Sequence, residues 1–110
     1  EKPKATVIIT HNGATLEETQ TGAGPVDAIY KAIETMVGEK VVLTDYIIQA
    51  ISGGTDALGD VLVRIKDGDK VYTGRGSSLD ILIASAKAYV MAVNKMVEFR
   101  VKNKSKNKGI

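Results

Sequence analysis

The sequence contains no cysteine and no tryptophan, and it has only one histidine, one phenylalanine and two prolines among its 110 residues. Without cysteine the chain forms no disulfide and has no thiol nucleophile, which is compatible with a reducing compartment such as the cytoplasm. A single histidine without cysteine cannot supply a pair of residues at the spacing of a zinc site. This composition argues against the disulfide-rich and zinc-stabilised classes of small protein.

The sequence also has no recognisable set of catalytic residues. The single histidine, His11, precedes Asn12-Gly13 in a predicted turn, where histidines are usually exposed and do not act as a base. Glu17 and Glu18 are adjacent, so on a strand their carboxylates point to opposite faces and form no acid–base pair. None of the serines has a histidine placed to activate it. We therefore expect no catalytic activity from this chain.

Long apolar runs are missing as well. No run reaches the roughly 20 residues that a membrane-spanning helix needs, and no basic-then-apolar leader is present at the start. A membrane is therefore not an expected partner. The chain begins with Glu1 and not with methionine, so we expect it to be a piece of a longer protein.

The basic residues are unevenly placed in a chain of net charge +2. Five of the 15 lie in residues 100–108, so residues 1–99 hold 10 basic against 13 acidic side chains. A slightly acidic body with few aromatic residues is not typical of a nucleic-acid-binding groove, which leaves a basic-tailed nucleic-acid-binding module as the less favoured function. Residues 100–110 are predicted to be a disordered tail, and truncation after Val97 is expected to leave the fold intact.

Two β-hairpins, two helices and one further strand are predicted. Ala5–Thr10 and Thr15–Gln20 flank an Asn-Gly turn; Pro25 suits the first position of a helix that Gly38 ends. The remaining predicted elements are a central strand over Val41–Ser52, a loop over Ser52–Asp56, a hairpin of Asp60–Lys66 with Lys70–Thr73, and a helix over Ser78–Val97. The last helix is apolar around nearly its whole circumference, which predicts burial on more than one side and a homodimer.

A weak internal repeat indicates how these elements are grouped. Thr21-Gly-Ala-Gly precedes the first helix, and Thr73-Gly-Arg-Gly precedes the second at an offset of 52 residues. The predicted fold class is α+β, with two β-hairpin–helix (βββα-like) units related by an internal pseudo-twofold and paired into a homodimer.

The two Gly-x-Gly segments indicate a ligand at a helix start. A dinucleotide fingerprint needs a further glycine, but Asp27 and Leu79 hold those positions, which argues against a phosphate. A zwitterion suits them better, because helix amides bind a carboxylate while Asp27, Asp45 or Asp80 holds the ammonium group. Apolar walls would come from Val26, Leu43, Tyr46 and Ala50. The same glycines and acids are also typical of ordinary helix capping.

Five segments resemble a known family. They are Gly22-Ala-Gly24-Pro25-Val26-Asp27-Ala28, Leu43-Thr-Asp45-Tyr46, Gly54-Thr55-Asp56-Ala57-Leu-Gly59, Gly74-Arg75-Gly76-Ser77-Ser78-Leu79-Asp80-Ile81 and Ala84-Ser85-Ala86-Lys87-Ala88-Tyr89. Between about Lys4 and Val97 the chain resembles the C-terminal regulatory, dimer-forming domain of α-isopropylmalate synthase, which citramalate synthase shares.

The resemblance implies a function that spacing does not show. Residues 1–99 would be an amino-acid-binding regulatory domain without a cofactor of its own. A separate barrel of the parent enzyme, dependent on zinc or another divalent metal, would condense acetyl-CoA with a 2-oxo acid. The end product, leucine or for the citramalate enzyme isoleucine, would bind at the homodimer interface and inhibit that barrel. The effector residues that the resemblance implies are Gly22, Gly24, Val26, Asp27, Leu43, Tyr46, Ala50, Ala57, Gly59, Ser77 and Leu79.

Overall fold

The computed structural model describes residues 2–11, 13–38, 41–51 and 58–108. The chain divides into two compact units, Glu1–Val41 and Val42–Ile110. Both units combine antiparallel strands with one helix, which confirms the predicted α+β class. The predicted loop at Ser52–Asp56 lies outside the described residues.

The N-terminal unit is a β-hairpin covered by a helix. Strands β1 (Lys4–His11) and β2 (Ala14–Thr21) pair antiparallel, with Ile8 opposite Glu17. Gly13 in the turn has φ 78°, the left-handed conformation that an Asn-Gly turn requires. Helix α1 (Pro25–Val37) packs against both strands and ends at Gly38, whose φ is 82°. The predicted hairpin, helix start and helix end are confirmed.

The C-terminal unit is a three-stranded antiparallel sheet with a helix on one face. Its strands are β3 (Val42–Ile51), β4 (Leu58–Asp67) and β5 (Lys70–Ser78), in the order β3-β4-β5. The strand predicted to be central is therefore an edge strand, and β4 is central. Apolar residues on both faces of β3 resemble a buried strand, yet Ile47 and Ile48 are 40% and 52% exposed. A strand is central only when both of its edges are paired, and among the described strands β3 pairs with β4 alone.

Helix α2 (Ile81–Lys108) covers β4 and β5. The core between them consists of Val61, Val63 and Ile65 from β4 with Ala84, Ala88, Tyr89, Ala92, Val93 and Met96 from α2, all buried. Small alanines on the helix let it approach the sheet closely, so the interior is filled by β4 side chains and by Tyr89.

The second Gly-x-Gly segment is not at a helix start, as the repeat predicted, but inside β5. A Cβ atom on Gly74 would overlap the carbonyl oxygen of Ala88, and one on Gly76 would overlap that of Ala84. Both glycines therefore face α2 and allow its backbone to approach the strand. The repeat in sequence thus serves two different structural purposes, a turn before α1 and a close contact under α2.

Helix α2 begins at Ile81, three residues later than predicted, and continues past Val97 to Lys108. It thereby includes residues 100–108, which sequence analysis assigned to a basic tail outside the fold. The guanidinium Nε of Arg100 donates to Asp67 Oδ2 at 2.8 Å, and the rings of Phe99 and Tyr72 lie 6.2 Å apart. Contacts with the sheet therefore stabilise the part of α2 that continues past its predicted end at Val97.

Candidate effector site

The predicted residues of the N-terminal unit surround the first turn of α1. Gly24 is the residue before the helix, and its carbonyl accepts the first helical hydrogen bond, from Ala28 N at 3.0 Å. Pro25 has no N–H, so the amides of Val26 and Asp27 are the ones that the first turn leaves unpaired. An amide pair at a positive helix end is suited to a carboxylate.

Gly22 brings the preceding chain close to this turn. Its amide donates to the carbonyl of Pro3 at 3.0 Å, which joins the end of β2 to the start of β1. A Cβ atom here would lie 2.6 Å from both Ala28 N and Asp27 Oδ2. Only glycine therefore leaves the Asp27 carboxylate its present position.

Asp27 is an ionised carboxylate held at the helix start. Its Oδ2 accepts from Ala23 N at 2.9 Å and lies 3.3 Å from Lys31 Nζ. The Ala23 amide first, and then Lys31, lower the pKa of this carboxyl below its ordinary value. Oδ1 has no hydrogen-bond partner within the described part of the chain, and the side chain is 45% exposed. The cap therefore occupies one oxygen and leaves the other open to a cation.

In the C-terminal unit, three predicted residues share the face of the sheet that α2 covers. Leu43 lies opposite Ile65 and Tyr46 opposite Val63, and both of those β4 residues are buried under the helix. Gly59 faces the same side, where a Cβ atom would lie 2.6 Å from Cδ1 of Ile81. Leu43 is nevertheless 41% exposed, which makes this edge of the sheet an accessible apolar surface.

Tyr46 is anchored to α2 by a polar contact that the sequence analysis missed. Its phenolic oxygen lies 2.7 Å from Ser85 Oγ, and Ser85 is fully buried. The Ser85 hydroxyl donates to the carbonyl of Ile81 at 2.7 Å, so Tyr46 is the donor to Ser85. A serine amid the small residues of the apolar helix was the available signal, because a buried hydroxyl needs a partner.

Ser77 and Leu79 lie elsewhere in this unit. Ser77 is opposite Asp60 on the face of the sheet that points away from α2, and its hydroxyl donates to Asp60 Oδ1 at 3.0 Å. Leu79 is 69% exposed between β5 and α2. Ser77 thus does not share a face with Tyr46. The effector roles of both residues stay predictions.

Asp80, and not a glycine, caps the second helix. Its Oδ1 accepts from the amide of Leu82 at 2.8 Å, and its own amide donates to Ser78 Oγ at 3.1 Å. Asp80 and Asp27 therefore both stabilise helix starts, but α2 has no Gly-x-Gly turn in front of it. This makes Asp80 a matched comparison for Asp27.

Some of the predicted residues cannot be placed. Ala57 and the side chains of Ala50 and His11 lie outside what the structure describes. Among the described residues, no three His, Cys, Asp or Glu side chains gather as a metal site would require. No helix in the described ranges is long and apolar enough to cross a membrane.

Comparison with known proteins assigns the family. Residues 1–97 match the model of the LeuA allosteric (dimerisation) domain. Proteins named 2-isopropylmalate synthase are similar, with 53% identity over 96 residues in Carboxydothermus hydrogenoformans and 52% over 96 residues in Pelotomaculum thermopropionicum. Each alignment covers 86% of this chain but 19% of the relative, so the chain spans about a fifth of these proteins. The chain belongs to the LeuA allosteric (dimerisation) domain family.

Proposed function

We propose that this chain is the feedback-inhibition domain of a 2-isopropylmalate synthase and that it binds leucine as a homodimer. The observation that carries the ligand class is the start of α1: Asp27 has one carboxylate oxygen without a hydrogen-bond partner within the described part of the chain, and the amides of Val26 and Asp27 belong to the first turn, which leaves its amides without helical acceptors. An α-amino acid presents one carboxylate and one ammonium group on neighbouring atoms. A helix end with an adjacent carboxylate matches that pair of charges.

Asp27 would hold the ammonium group. Its lowered pKa keeps it charged at neutral pH, and Lys31 lies on Oδ2, away from the free oxygen. The helix amides would bind the amino-acid carboxylate, which the positive end of the helix favours. The effector would therefore be recognised by its backbone groups at α1.

The side chain of the effector needs apolar surface. The residue types of Val26, Leu43 and Tyr46 suit this role, and within the C-terminal unit Leu43 is 41% exposed on the face of the sheet that it shares with the half-buried Tyr46. Leucine is proposed in preference to isoleucine because the similar relatives are named 2-isopropylmalate synthase. The two amino acids differ only in the position of one methyl branch, a difference worth about 1–3 kcal/mol of binding.

In the parent enzyme, effector binding here would lower the activity of a separate barrel that condenses acetyl-CoA with a 2-oxo acid with the help of a divalent metal. Such coupling requires that the effector bind the active and inactive states with different affinities. The regulatory chain then contributes the binding energy and the barrel contributes the chemistry.

Calorimetric titration with leucine, isoleucine and valine tests the proposal. Leucine should bind most tightly, and Asp27→Ala should weaken it at least about tenfold, because the variant removes the carboxylate that pairs with the ammonium group of the ligand. Asp80→Ala is the control, since it also removes a carboxylate that accepts a backbone hydrogen bond at a helix start. Equal leucine affinity in both variants would show that Asp27 only stabilises its helix. Tighter binding of isoleucine than of leucine would favour the citramalate enzyme.

A further inference from the structure

The three-stranded sheet of the C-terminal unit has a second face, on the side away from α2. Leu62 and Arg64 alternate along β4 with the buried Val61, Val63 and Ile65, so their side chains point to this second face. We call it the open face, because within this unit no described helix covers it. Its side chains are half-buried or exposed, so solvent and small molecules can reach them.

A depression of about 220 Å³ lies on the open face. It is lined by Ile47, Gln49, Asp60, Leu62, Arg64 and Arg75. Ile47 pairs across the strands with Leu62, so two apolar side chains lie next to each other in the depression. Sites for drug-sized ligands measure roughly 300–1,000 Å³, and this depression therefore suits a smaller molecule.

Arg75 is a cation without a counter-ion at this depression. Its side chain is exposed and forms no ion pair or hydrogen bond within the described part of the chain. Arg64 is its diagonal neighbour on β4, since Arg64 lies opposite Thr73. Arg64 Nη1 is 3.6 Å from Asp45 Oδ2, longer than the roughly 2.7–2.9 Å of a charge-assisted hydrogen bond. Guanidinium groups are therefore available to an anion on this side of the depression.

Asp60 supplies the opposite charge. Its Oδ1 accepts from the Ser77 hydroxyl at 3.0 Å, whereas Oδ2 has no hydrogen-bond partner within the described residues. Asp60 lies opposite Ser77 and Arg75 opposite Leu62, so Asp60 and Arg75 are diagonal neighbours, whose spacing is roughly 7–8 Å. These two described residues nevertheless form no ion pair with each other. A cation and an anion that line one depression without pairing leave both charges to a ligand.

An α-amino acid matches this arrangement, because it carries a carboxylate and an ammonium group on neighbouring positions. Arg75 can donate two parallel N–H groups to the carboxylate, and Asp60 Oδ2 can accept from the ammonium group. Leu62 and Ile47, which is 40% exposed, offer apolar surface to a short side chain. A phosphate would lack a partner for Asp60 and would be repelled by it.

We infer that the open face holds a binding site for a small apolar α-amino acid, formed by Arg75, Asp60, Ile47 and Leu62. All four residues belong to the C-terminal unit, and none is among the expected effector residues. The inference goes beyond the proposed function and does not rest on it. Ser77, which the family resemblance assigns to the effector site, contacts Asp60, so the experiment has to separate the two sites.

Methyl NMR on the whole chain, labelled at isoleucine and leucine, tests the site directly. Titration with L-valine should shift the methyl signals of Ile47 and Leu62. Isovalerate lacks the ammonium group and isobutylamine lacks the carboxylate, so each should bind at least about tenfold more weakly, since each loses its hydrogen bonds to one charged group. Unmoved methyl signals, or an analogue that binds as tightly as L-valine, would overturn the inference.

Variants then assign the charges. Arg75→Gln and Asp60→Asn should each weaken L-valine binding at these methyls at least about tenfold, for the same reason. Lys66→Gln is the matched control, because Lys66 is an exposed cation on the same face of β4 but does not line the depression. It should leave the affinity unchanged. An equal loss in all three variants would show general charge attraction and would overturn the site.

Asp27→Ala separates this site from the proposed effector site. The variant should leave the L-valine shifts of Ile47 and Leu62 unchanged. If it abolishes them, they report binding at α1 and the inference is wrong. If Asp27→Ala leaves leucine affinity intact while Arg75→Gln abolishes the shifts, the proposed effector site fails and the site on the open face stands.

Discussion

The hydroxyl of Tyr46 donates to Ser85 Oγ at 2.7 Å and thereby joins the edge strand β3 to the helix that covers the sheet. Ser85 donates its own proton to the carbonyl of Ile81, so the two hydroxyls form a short chain of hydrogen bonds at a buried position. These linked hydrogen bonds fix the position of the edge strand relative to the helix more strictly than apolar contacts do.

A double-mutant cycle on this pair should show coupling. Tyr46→Phe and Ser85→Ala are each expected to lower the free energy of unfolding, and their interaction energy should be about 0.5–1.5 kcal/mol in urea denaturation. Tyr72→Phe is the control, because the buried hydroxyl of Tyr72 has no hydrogen-bond partner among the described residues and its loss should cost nothing. Strictly additive effects at Tyr46 and Ser85 would show that the hydrogen bond contributes no stability.

Gly74→Ala should destabilise the chain strongly. The added Cβ would overlap the carbonyl oxygen of Ala88, and backbone on both sides cannot move without separating α2 from the sheet. Overpacking of this kind costs about 1–3 kcal/mol or more. Gly24→Ala is the matched control, since no atom lies within 4 Å of its Cβ and its φ is −146°. Thermal unfolding of both variants decides whether the helix approach requires glycine.

Truncation after Val97 should lower stability, contrary to the expectation from sequence. The deletion removes Arg100, whose Nε donates to Asp67, and Phe99, whose ring lies 4.9 Å from Lys70 Nζ and near Tyr72. Truncation after Lys104 keeps these contacts and should leave the melting temperature nearly unchanged. If both truncations melt at the same temperature as the whole chain, the end of α2 contributes nothing to the fold.

Asp27 should make the fold sensitive to acid. Its pKa is lower in the folded chain than the ordinary value of 3.8, chiefly through the Ala23 amide and then through Lys31. A lowered pKa means that this stabilisation is complete above pH of about 4 and is lost as the pH falls through the folded value. Asp27→Asn should therefore flatten the fall in melting temperature between pH 6 and pH 2. Lys31→Met should keep most of the fall in melting temperature with pH, since the hydrogen bond from the Ala23 amide, the larger cause of the lowered pKa, remains.

Much of the architecture could be read from local sequence. The Asn-Gly turn, Pro25 and Gly38 each restrict the backbone within a few residues, so the hairpin of the N-terminal unit and the bounds of α1 were predictable. Five segments between Gly22 and Tyr89 were sufficient for the family resemblance. Asp27 was identified from the sequence as the acid at the start of α1.

Tertiary structure decided what depends on partners distant in sequence. The position of β3 at the sheet edge follows from its pairing with β4, and the strand conformation of Gly74 and Gly76 follows from their pairing with Val63 and Val61 of β4. The Tyr46–Ser85 contact spans 39 positions, and the Arg100–Asp67 contact that accompanies the extension of α2 spans 33. Sequence by itself determined the local turns, caps and apolar stripes, because these depend on neighbouring residues. Only the tertiary structure determined which residues of each stripe are buried, because burial depends on which other element packs against them.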